Sequence, residues 1–360
     1  MAEIRASETA PRTDSGEWPL PWQEVAGERN GPLAWVEYAA VRAAVETLSR
    51  LPVGAQRSLT GGLARLARRF DAGHTRTARE FLEQALGPDL PRERREALVL
   101  ESYRHFFRLM LDEAHFDERV VRGDLLAHFE IVMCPEAKAV LEEGGSTISV
   151  TGHLGAWEAI SALMPRLGFR PFYGVARPPE NRPLSQFVQR SRERRGLRML
   201  HRHGAVQSIV QALGAGAHVG LLIDQRAHRK TVLAPFFGRL AHCERTIPVL
   251  LKRMKVPVLV AGCTTTGEPF RYRAEFPRVF RPEEFAGRSP EEVLASLHAE
   301  LERMILARPE QYFWLHDRYR NAPAAPQGAP ARPAAGPPAL PPCPPCDRER
   351  AEGGGDEDRE

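Results

Sequence analysis

A histidine that follows a short apolar run carries the clearest chemistry in this sequence. The segment Ser149-Val-Thr-Gly-His-Leu-Gly-Ala-Trp-Glu158 predicts a strand, a glycine, His153 and a helix that begins near Gly155. On one continuous helix His153 and Glu158 would be about 500° apart, so they meet only if His153 precedes the helix and Glu158 points back. A carboxylate on one imidazole nitrogen leaves the other free to accept a proton. The pair is typical of a general base that activates an alcohol, and a purely structural histidine is the alternative.

The elements that must position this pair change in character along the chain. Helical patterns cover residues 33–51, 55–70, 75–86 and 91–112, and the first has its apolar residues on one face. From residue 146, β-rich runs alternate with helical stretches, which predicts an α/β domain with a mixed, mostly parallel sheet flanked by helices. We therefore expect a flexible leader over 1–30, a helical region over 31–125, the α/β domain over 126–321 and a disordered Pro-rich tail over 322–360.

The distribution of charge indicates a class of binding partner, and the cysteines indicate which redox or metal chemistry to expect. The window from Arg166 to Arg202 holds ten arginines against Glu180 and Glu193, a local charge of +8 in a chain of net charge +4. Such a window favours an anionic partner, although an ordinary solvated helix is the simpler interpretation. Five scattered cysteines fit reduced thiols, and the Cys343/Cys346 pair in the tail predicts no metal or redox site. We found no pattern of a nucleic-acid-binding module.

Several motifs together resemble the bacterial lipid A biosynthesis acyltransferases, the late lauroyl and myristoyl transferases. These motifs are His153-x4-Glu158, Arg177-Pro-Pro-Glu-Asn-Arg-Pro-Leu184, Gly220-Leu-Leu-Ile-Asp-Gln225, Pro235-Phe-Phe-Gly238 and Tyr312-Phe-Trp-Leu-His-Asp-Arg318. The resemblance spans about residues 33–320. It implies a glycerolipid-acyltransferase-like fold with a hydrophobic acyl groove.

The resemblance also implies a reaction and roles for individual residues. A fatty acyl chain would pass from acyl carrier protein or coenzyme A to a hydroxyl of a glycolipid or lysolipid, without metal or organic cofactor. His153 would be the base and Glu158 its partner, while Arg177, Asn181, Asp224 and Arg318 would contact substrate or shape its site. The segment after Gly238 departs from the family pattern, and this leaves the acceptor and the acyl length open.

Two other classes remain open on the sequence alone. A thioesterase-like hydrolase would use water in place of the lipid alcohol, and a non-catalytic protein would bind anionic lipid through its arginines. The sequence contains no run of about 18 uncharged apolar residues, so we expect any membrane attachment to be peripheral. The family resemblance implies that this attachment is to the cytoplasmic face of the inner membrane.

Overall fold

The computed structural model describes residues 18–201, 204–228 and 231–323. Its first part is a helical region whose four helices lie close to the predicted bounds. They are α1 (Pro32–Ser49), α2 (Val53–Phe70), α3 (Ala72–Leu86) and α4 (Arg92–Phe116). A π-helical turn, Asp117–Val121, and a 3-10 turn, Leu125–His128, then lead into the sheet.

A seven-stranded sheet forms the centre of the α/β part. Its strands are β1 (Phe129–Met133), β2 (Ile148–Thr151), β3 (Phe172–Ala176), β4 (Leu197–His201), β5 (His218–Leu222), β8 (Val258–Thr265) and β9 (Tyr272–Phe280). The spatial order is β1-β9-β8-β2-β5-β3-β4. Strands β2, β3, β4, β5 and β8 run parallel, whereas β9 pairs antiparallel with β8 and parallel with β1. The predicted mixed, mostly parallel sheet is confirmed.

Six helices pack around this sheet and complete the layers. They are α5 (Pro135–Glu143), α6 (Trp157–Arg166), α7 (Arg182–Arg194), α8 (Ala205–Gly214), α9 (Thr246–Met254) and α10 (Pro290–Ala307). The last one begins where the sequence signals a helix start: the Ser289 hydroxyl accepts the Glu292 N–H, and the Glu292 carboxylate accepts the Ser289 N–H. Buried side chains form one apolar core on each face of the sheet.

A separate hairpin follows β5 and was not predicted. Its strands are β6 (Thr231–Phe236) and β7 (Arg239–Glu244), which pair antiparallel. Phe237 and Gly238, with φ of 49° and 74°, form the two-residue turn. Two positive φ angles give the tight turn that suits the twist of a hairpin. The Phe-Phe-Gly motif therefore belongs to this turn, and both phenylalanine rings are buried.

The expected flexible leader has to be corrected for its described part. Leu20 and Val25 are buried, and the Leu20 N–H donates to the Tyr173 hydroxyl. Val25 N–H donates to the Gln189 side chain. Burial of two apolar side chains together with satisfied amides fixes this segment against the sheet and α7. The tail from residue 324 onward, with Cys343 and Cys346, lies outside the described residues.

Candidate active site

The candidate site lies where two neighbouring parallel strands end. Strand β2 ends at Thr151 and β5 at Leu222, and the two pair directly. His153 follows β2 and Asp224 follows β5, so both reach the same edge of the sheet. In parallel sheets this edge is where the loops that carry functional groups lie.

His153 is held by Asp224, and this corrects the predicted pairing with Glu158. The Nδ1–H of His153 donates to Asp224 Oδ1 at 2.8 Å, and the backbone N–H of His153 donates to Oδ2 at 2.7 Å. The Tyr312 hydroxyl also donates to Oδ2, at 3.1 Å. Three donors thus fix one buried carboxylate, which in turn fixes the ring and its tautomer.

Glu158 is engaged elsewhere. Its two carboxylate oxygens accept hydrogen bonds from Arg192 on α7, at 2.6 and 3.0 Å. Burial tends to raise the pKa of Glu158, but the paired Arg192 guanidinium lowers it below its ordinary value. Glu158 reaches His153 through its charge alone, which helps to raise the pKa of the imidazole. The reason for the changed pairing is that Arg192 offers a two-point match to the carboxylate.

The protonation states of the pair follow from burial and charge together. Burial tends to lower the pKa of His153, but the charge and hydrogen bond of Asp224 raise it above its ordinary value. Burial tends to raise the pKa of Asp224, yet the His153 imidazole and its hydrogen bonds hold it at about 2. The carboxylate is therefore ionised at neutral pH, and it stabilises a proton on the imidazole.

The free nitrogen of the imidazole faces an exposed amide. The Gln225 side-chain nitrogen lies 3.1 Å from His153 Nε2, and because Nδ1 carries a proton, the amide donates to the Nε2 lone pair. Two aromatic rings flank the imidazole: Trp157 at 5.0 Å and Phe313 at 6.4 Å between centroids. Nε2 is thus oriented to accept a proton from a group that replaces the Gln225 amide.

An apolar cavity of about 600 Å³, its open mouth included, lies beside this pair. Trp157 lines it and its ring also contacts the imidazole, so this side chain joins the cavity to His153. Its floor is one face of the sheet, and α6 and α7 cover it. The floor consists of Ser149, Thr151, Phe172, Gly174, Ala176, Leu197, Met199, Gly220, Leu222 and Ala261. A mostly apolar lining between a sheet and its covering helices is typical of sites that bind small organic ligands.

The remaining predicted substrate residues differ in their accessibility. Arg177 follows β3 on the same edge, its side chain is 72% exposed, and Glu180 lies 3.9 Å away. Asn181 caps α7 by accepting the Leu184 N–H, and its amide nitrogen donates to the Ala34 carbonyl. Because both ends of its amide are bound within the protein, the expected substrate contact by Asn181 is corrected to a structural one.

Arg318 also has to be corrected to a structural role. It is 1% exposed, and its Nη1 donates to the carbonyls of Gln225 and His242. Its guanidinium carbon lies 5.4 Å from the centroid of the Phe236 ring. A substrate has no path to this group. Instead, Arg318 ties the segment after β5 to the hairpin, and its charge helps to lower the pKa of Asp224.

Two sets of groups that could bind negative charge are partly engaged within the protein. The N–H groups of Gly155 and Ala156, at the start of α6, donate to the carbonyls of Gln311 and Cys263. They are therefore not available to bind negative charge on a substrate. In the basic window, four arginines besides Arg177 are ion-paired with acidic residues: Arg182, Arg192, Arg194 and Arg195. Arg202 lies outside the described residues.

Sequence reasoning missed the hydrogen-bonding roles of Gln225 and Tyr312 and assigned Asp224 to substrate. One signal was available: Asp224-Gln225 directly follows a buried apolar run that predicts a central strand. Such a run ends at the same edge as the Gly152-His153 turn if the two strands are parallel neighbours. Neighbouring strands cannot be identified from one sequence without the fold.

An imidazole held by a buried carboxylate, with an apolar cavity beside it, is what an acyltransferase requires. A family model described as bacterial lipid A biosynthesis acyltransferase matches residues 27–321. The chain therefore belongs to the bacterial lipid A biosynthesis acyltransferase family, as the motifs predicted, and it is an enzyme that transfers an acyl group to a lipid.

Two further comparisons add little. No curated protein matches the sequence. Among solved structures, the chain is similar to the 1-acyl-sn-glycerophosphate (LPA) acyltransferase, PlsC, from Thermotoga maritima, with 12% identity over 69% of this chain and 93% of that one. The TM-score of 0.32 is too low for this likeness to bear on mechanism or substrate.

Proposed function

We propose that this enzyme moves a fatty acyl chain from a thioester, carried on acyl carrier protein or coenzyme A, to a hydroxyl of an anionic glycolipid or lysolipid. The observation that carries the proposal is the Asp224–His153 pair, together with the apolar cavity that is joined to it through Trp157. We place the acyl chain in that cavity. No metal or organic cofactor is needed for this chemistry, because the thioester is already activated.

In the proposed reaction the acceptor hydroxyl takes the place of the Gln225 amide at Nε2. The imidazole removes the hydroxyl proton as the oxygen attacks the thioester carbonyl, and Asp224 stabilises the imidazolium that forms. When the carbon–sulfur bond breaks, the departing thiolate takes this proton. The products are an ester and a free thiol. Once it is displaced from Nε2, the exposed Gln225 amide is proposed to donate to the negatively charged carbonyl oxygen.

Arg177 is proposed to bind the negative charge of the lipid. It follows β3 at the edge that also carries His153, and 72% of its side chain is exposed. A guanidinium with one distant acidic neighbour can donate two parallel hydrogen bonds to a phosphate. Exposure and position support this role for Arg177, in contrast to Asn181 and Arg318.

We also propose that the enzyme lies on the cytoplasmic face of the inner membrane. None of the described helices is long and apolar enough to cross a bilayer. Nine of the fifteen large hydrophobic residues that are exposed in the described chain lie between residues 22 and 70. They include Leu33 and Val36 of α1 and Phe70 of α2, and α2 carries four arginines and no acidic residue. Apolar side chains flanked by arginines favour an anionic lipid surface.

The test of the proposed reaction is an acceptor titration with the His153→Ala variant as its control. Wild-type enzyme with an acyl thioester is expected to form more ester, and less free fatty acid, as lysolipid is added. The variant is expected to lose about 10³-fold or more in kcat. Free fatty acid that does not fall with added acceptor would favour a thioesterase-like hydrolase. Full activity in the variant would remove His153 from the mechanism.

A further inference from the structure

A second cavity, separate from the apolar one, lies at the end of β8. It spans about 460 Å³, its open mouth included, between α2, α4 and the loop that follows Thr265. Because β8 runs parallel to β2, this cavity is at the same edge of the sheet as His153. Helix α4 connects the two places: the Nε2 of His105 is 3.0 Å from the Gly155 carbonyl, and Arg108, one turn further, lines the cavity.

Two arginines are the main polar groups of this cavity. The Nε of Arg108 is fully buried and has no hydrogen-bond partner among the described residues. A buried donor of this kind is costly unless a ligand or water satisfies it. Arg57 on α2 donates from Nη2 to the Gly267 carbonyl at 2.9 Å. Gln56 and Thr60 also line this wall, but their side-chain donors are already bonded to the backbone carbonyls of Leu48, Leu51 and Arg57.

The acidic groups of the cavity are arranged so that they oppose an anion only weakly. Burial raises the pKa of Asp112 to about 6, against the opposing charges of Arg108 and Arg57. A bound anion would raise this pKa further, so that the acid would be neutral and could donate a hydrogen bond. Glu268, the other acidic residue of the lining, is exposed on the loop.

The rest of the lining is apolar, which argues for an organic anion over a free ion. Val53, Leu111, Pro269 and Phe270 complete the wall. These side chains contribute favourable contact area to a ligand only if it carries carbon next to its charge.

We propose that this cavity is a subsite for the phosphate group of a phosphorylated substrate, with Arg108 and Arg57 as its donors. The inference rests on the proposed acyl transfer, in which two substrates bring such a group near His153. One is the phosphopantetheine arm that acyl carrier protein and coenzyme A share, and the other is a phosphorylated lipid headgroup. Arginine suits both because it binds phosphate through two parallel hydrogen bonds.

Binding can be measured without turnover, so that its outcome is independent of the base assignment. Isothermal titration calorimetry of the full-length protein would use 4′-phosphopantetheine, pantetheine, glucosamine 1-phosphate and inorganic phosphate. We expect binding of phosphopantetheine, glucosamine 1-phosphate or both, with pantetheine much weaker. Tighter binding of phosphopantetheine assigns the subsite to the acyl donor. Tighter binding of glucosamine 1-phosphate assigns it to the lipid acceptor. The same affinities are expected in His153→Ala.

Variants of the lining decide whether the binding occurs in this cavity. Arg108→Gln is expected to weaken the bound phosphate ester about 10- to 100-fold, because a hydrogen bond to a charged group is lost. Arg92→Gln, which changes an exposed arginine of the same helix, is the matched control and should bind as wild type. Asp112→Asn removes the opposing charge and should tighten binding a few-fold, which a misfolded variant would not do.

Several results would overturn the subsite. Wild-type protein that binds none of the phosphate esters at millimolar concentration would exclude it. Unchanged affinity in Arg108→Gln would place the binding elsewhere. Inorganic phosphate bound as tightly as the esters would contradict an organic ligand, and weaker binding in Asp112→Asn would contradict the proposed role of that carboxyl.

Discussion

Asp224→Asn is the substitution that most directly tests the geometry of the site. It removes the charge that faces the imidazole and keeps the shape of the side chain. In the structure the pKa of Asp224 is about 2, against an ordinary value of 3.8, although the side chain is 2% exposed. A difference of about 2 units corresponds to roughly 2 to 3 kcal/mol of preference for the charged carboxylate beside its partners.

This free energy sets the expected loss of activity. We take the imidazolium in the transition state to be stabilised by Asp224 by at least this free energy. Asp224→Asn then lowers kcat about 30-fold or more. Loss of the correct imidazole tautomer brings the expected decrease to between about 10² and 10⁴. The assay is steady-state kinetics with an acyl thioester, in which the released thiol is measured by its colour reaction.

The pH profile gives a second readout that a purely structural role would not change. The imidazole acts in its neutral form, so kcat/KM rises with pH through the pKa of His153. Asp224 raises that pKa in the wild type, whereas burial lowers it. Without the carboxylate charge the pKa falls, and the acidic limb of the profile of Asp224→Asn moves to lower pH.

Glu158→Gln is the matched comparison, since it removes the other nearby carboxylate charge. It is expected to reduce kcat less than about tenfold, because Glu158 makes no hydrogen bond to His153. The variant leaves the partly buried Arg192 without its ionic partner and is expected to lose about 1 to 3 kcal/mol of stability. Activity is therefore compared at a temperature at which thermal unfolding shows both variants folded. A large loss in Glu158→Gln together with a nearly active Asp224→Asn would refute the assignment of Asp224.

The remaining predictions concern the acyl cavity and the membrane surface. Gly174 lies in the cavity floor, and a Cβ there would be 3.2 Å from Leu197 Cδ1. Gly174→Val is therefore expected to favour acyl donors that are shorter by about two carbons. The ratio of kcat/KM for long chains to kcat/KM for short chains is expected to fall at least tenfold. Gly214→Ala, in open space at the end of α8, is its control, and an unchanged chain-length preference in Gly174→Val would place the acyl chain elsewhere. The double change Leu33→Glu with Val36→Glu is expected to reduce sedimentation with anionic vesicles about tenfold or more, because both apolar side chains are exposed on α1. Val206→Glu with Val249→Glu adds the same charge at exposed positions on α8 and α9, and equal losses in both double variants would contradict a docking surface on α1.

Most of the elements near the site were predictable because their sequence patterns are local. The helical patterns over 205–214 and 246–254 coincide with α8 and α9, and the β-rich run over 147–151 matches β2 within one residue. The elements that escaped prediction have weak local signals. β4 follows directly on the arginine-rich helix α7, and the β6–β7 hairpin carries Pro235 and charged residues in its strands. Tertiary contacts decide the conformation of such segments, because their intrinsic strand propensities are too weak to do so.

The apolar face of α1 shows a second limit of prediction from local sequence patterns. Its periodicity correctly predicted an amphipathic helix, but the stripe that includes Val36, Ala40 and Ala43 is exposed in the structure. Amphipathicity tells which residues share a face and not what that face contacts. The contact on the opposite face, at the buried Ala34, is visible only in the tertiary structure.

The sequence by itself determined the family, the mixed α/β fold and the position of His153 between a strand and a helix. The tertiary structure decided which carboxylate holds that imidazole. Glu158 is five residues away along the chain, yet it is tied to Arg192, whereas Asp224 is 71 residues away and lies within hydrogen-bonding distance. The physical reason is that β2 and β5 are parallel neighbours, so their carboxyl ends bring together groups that no local pattern relates.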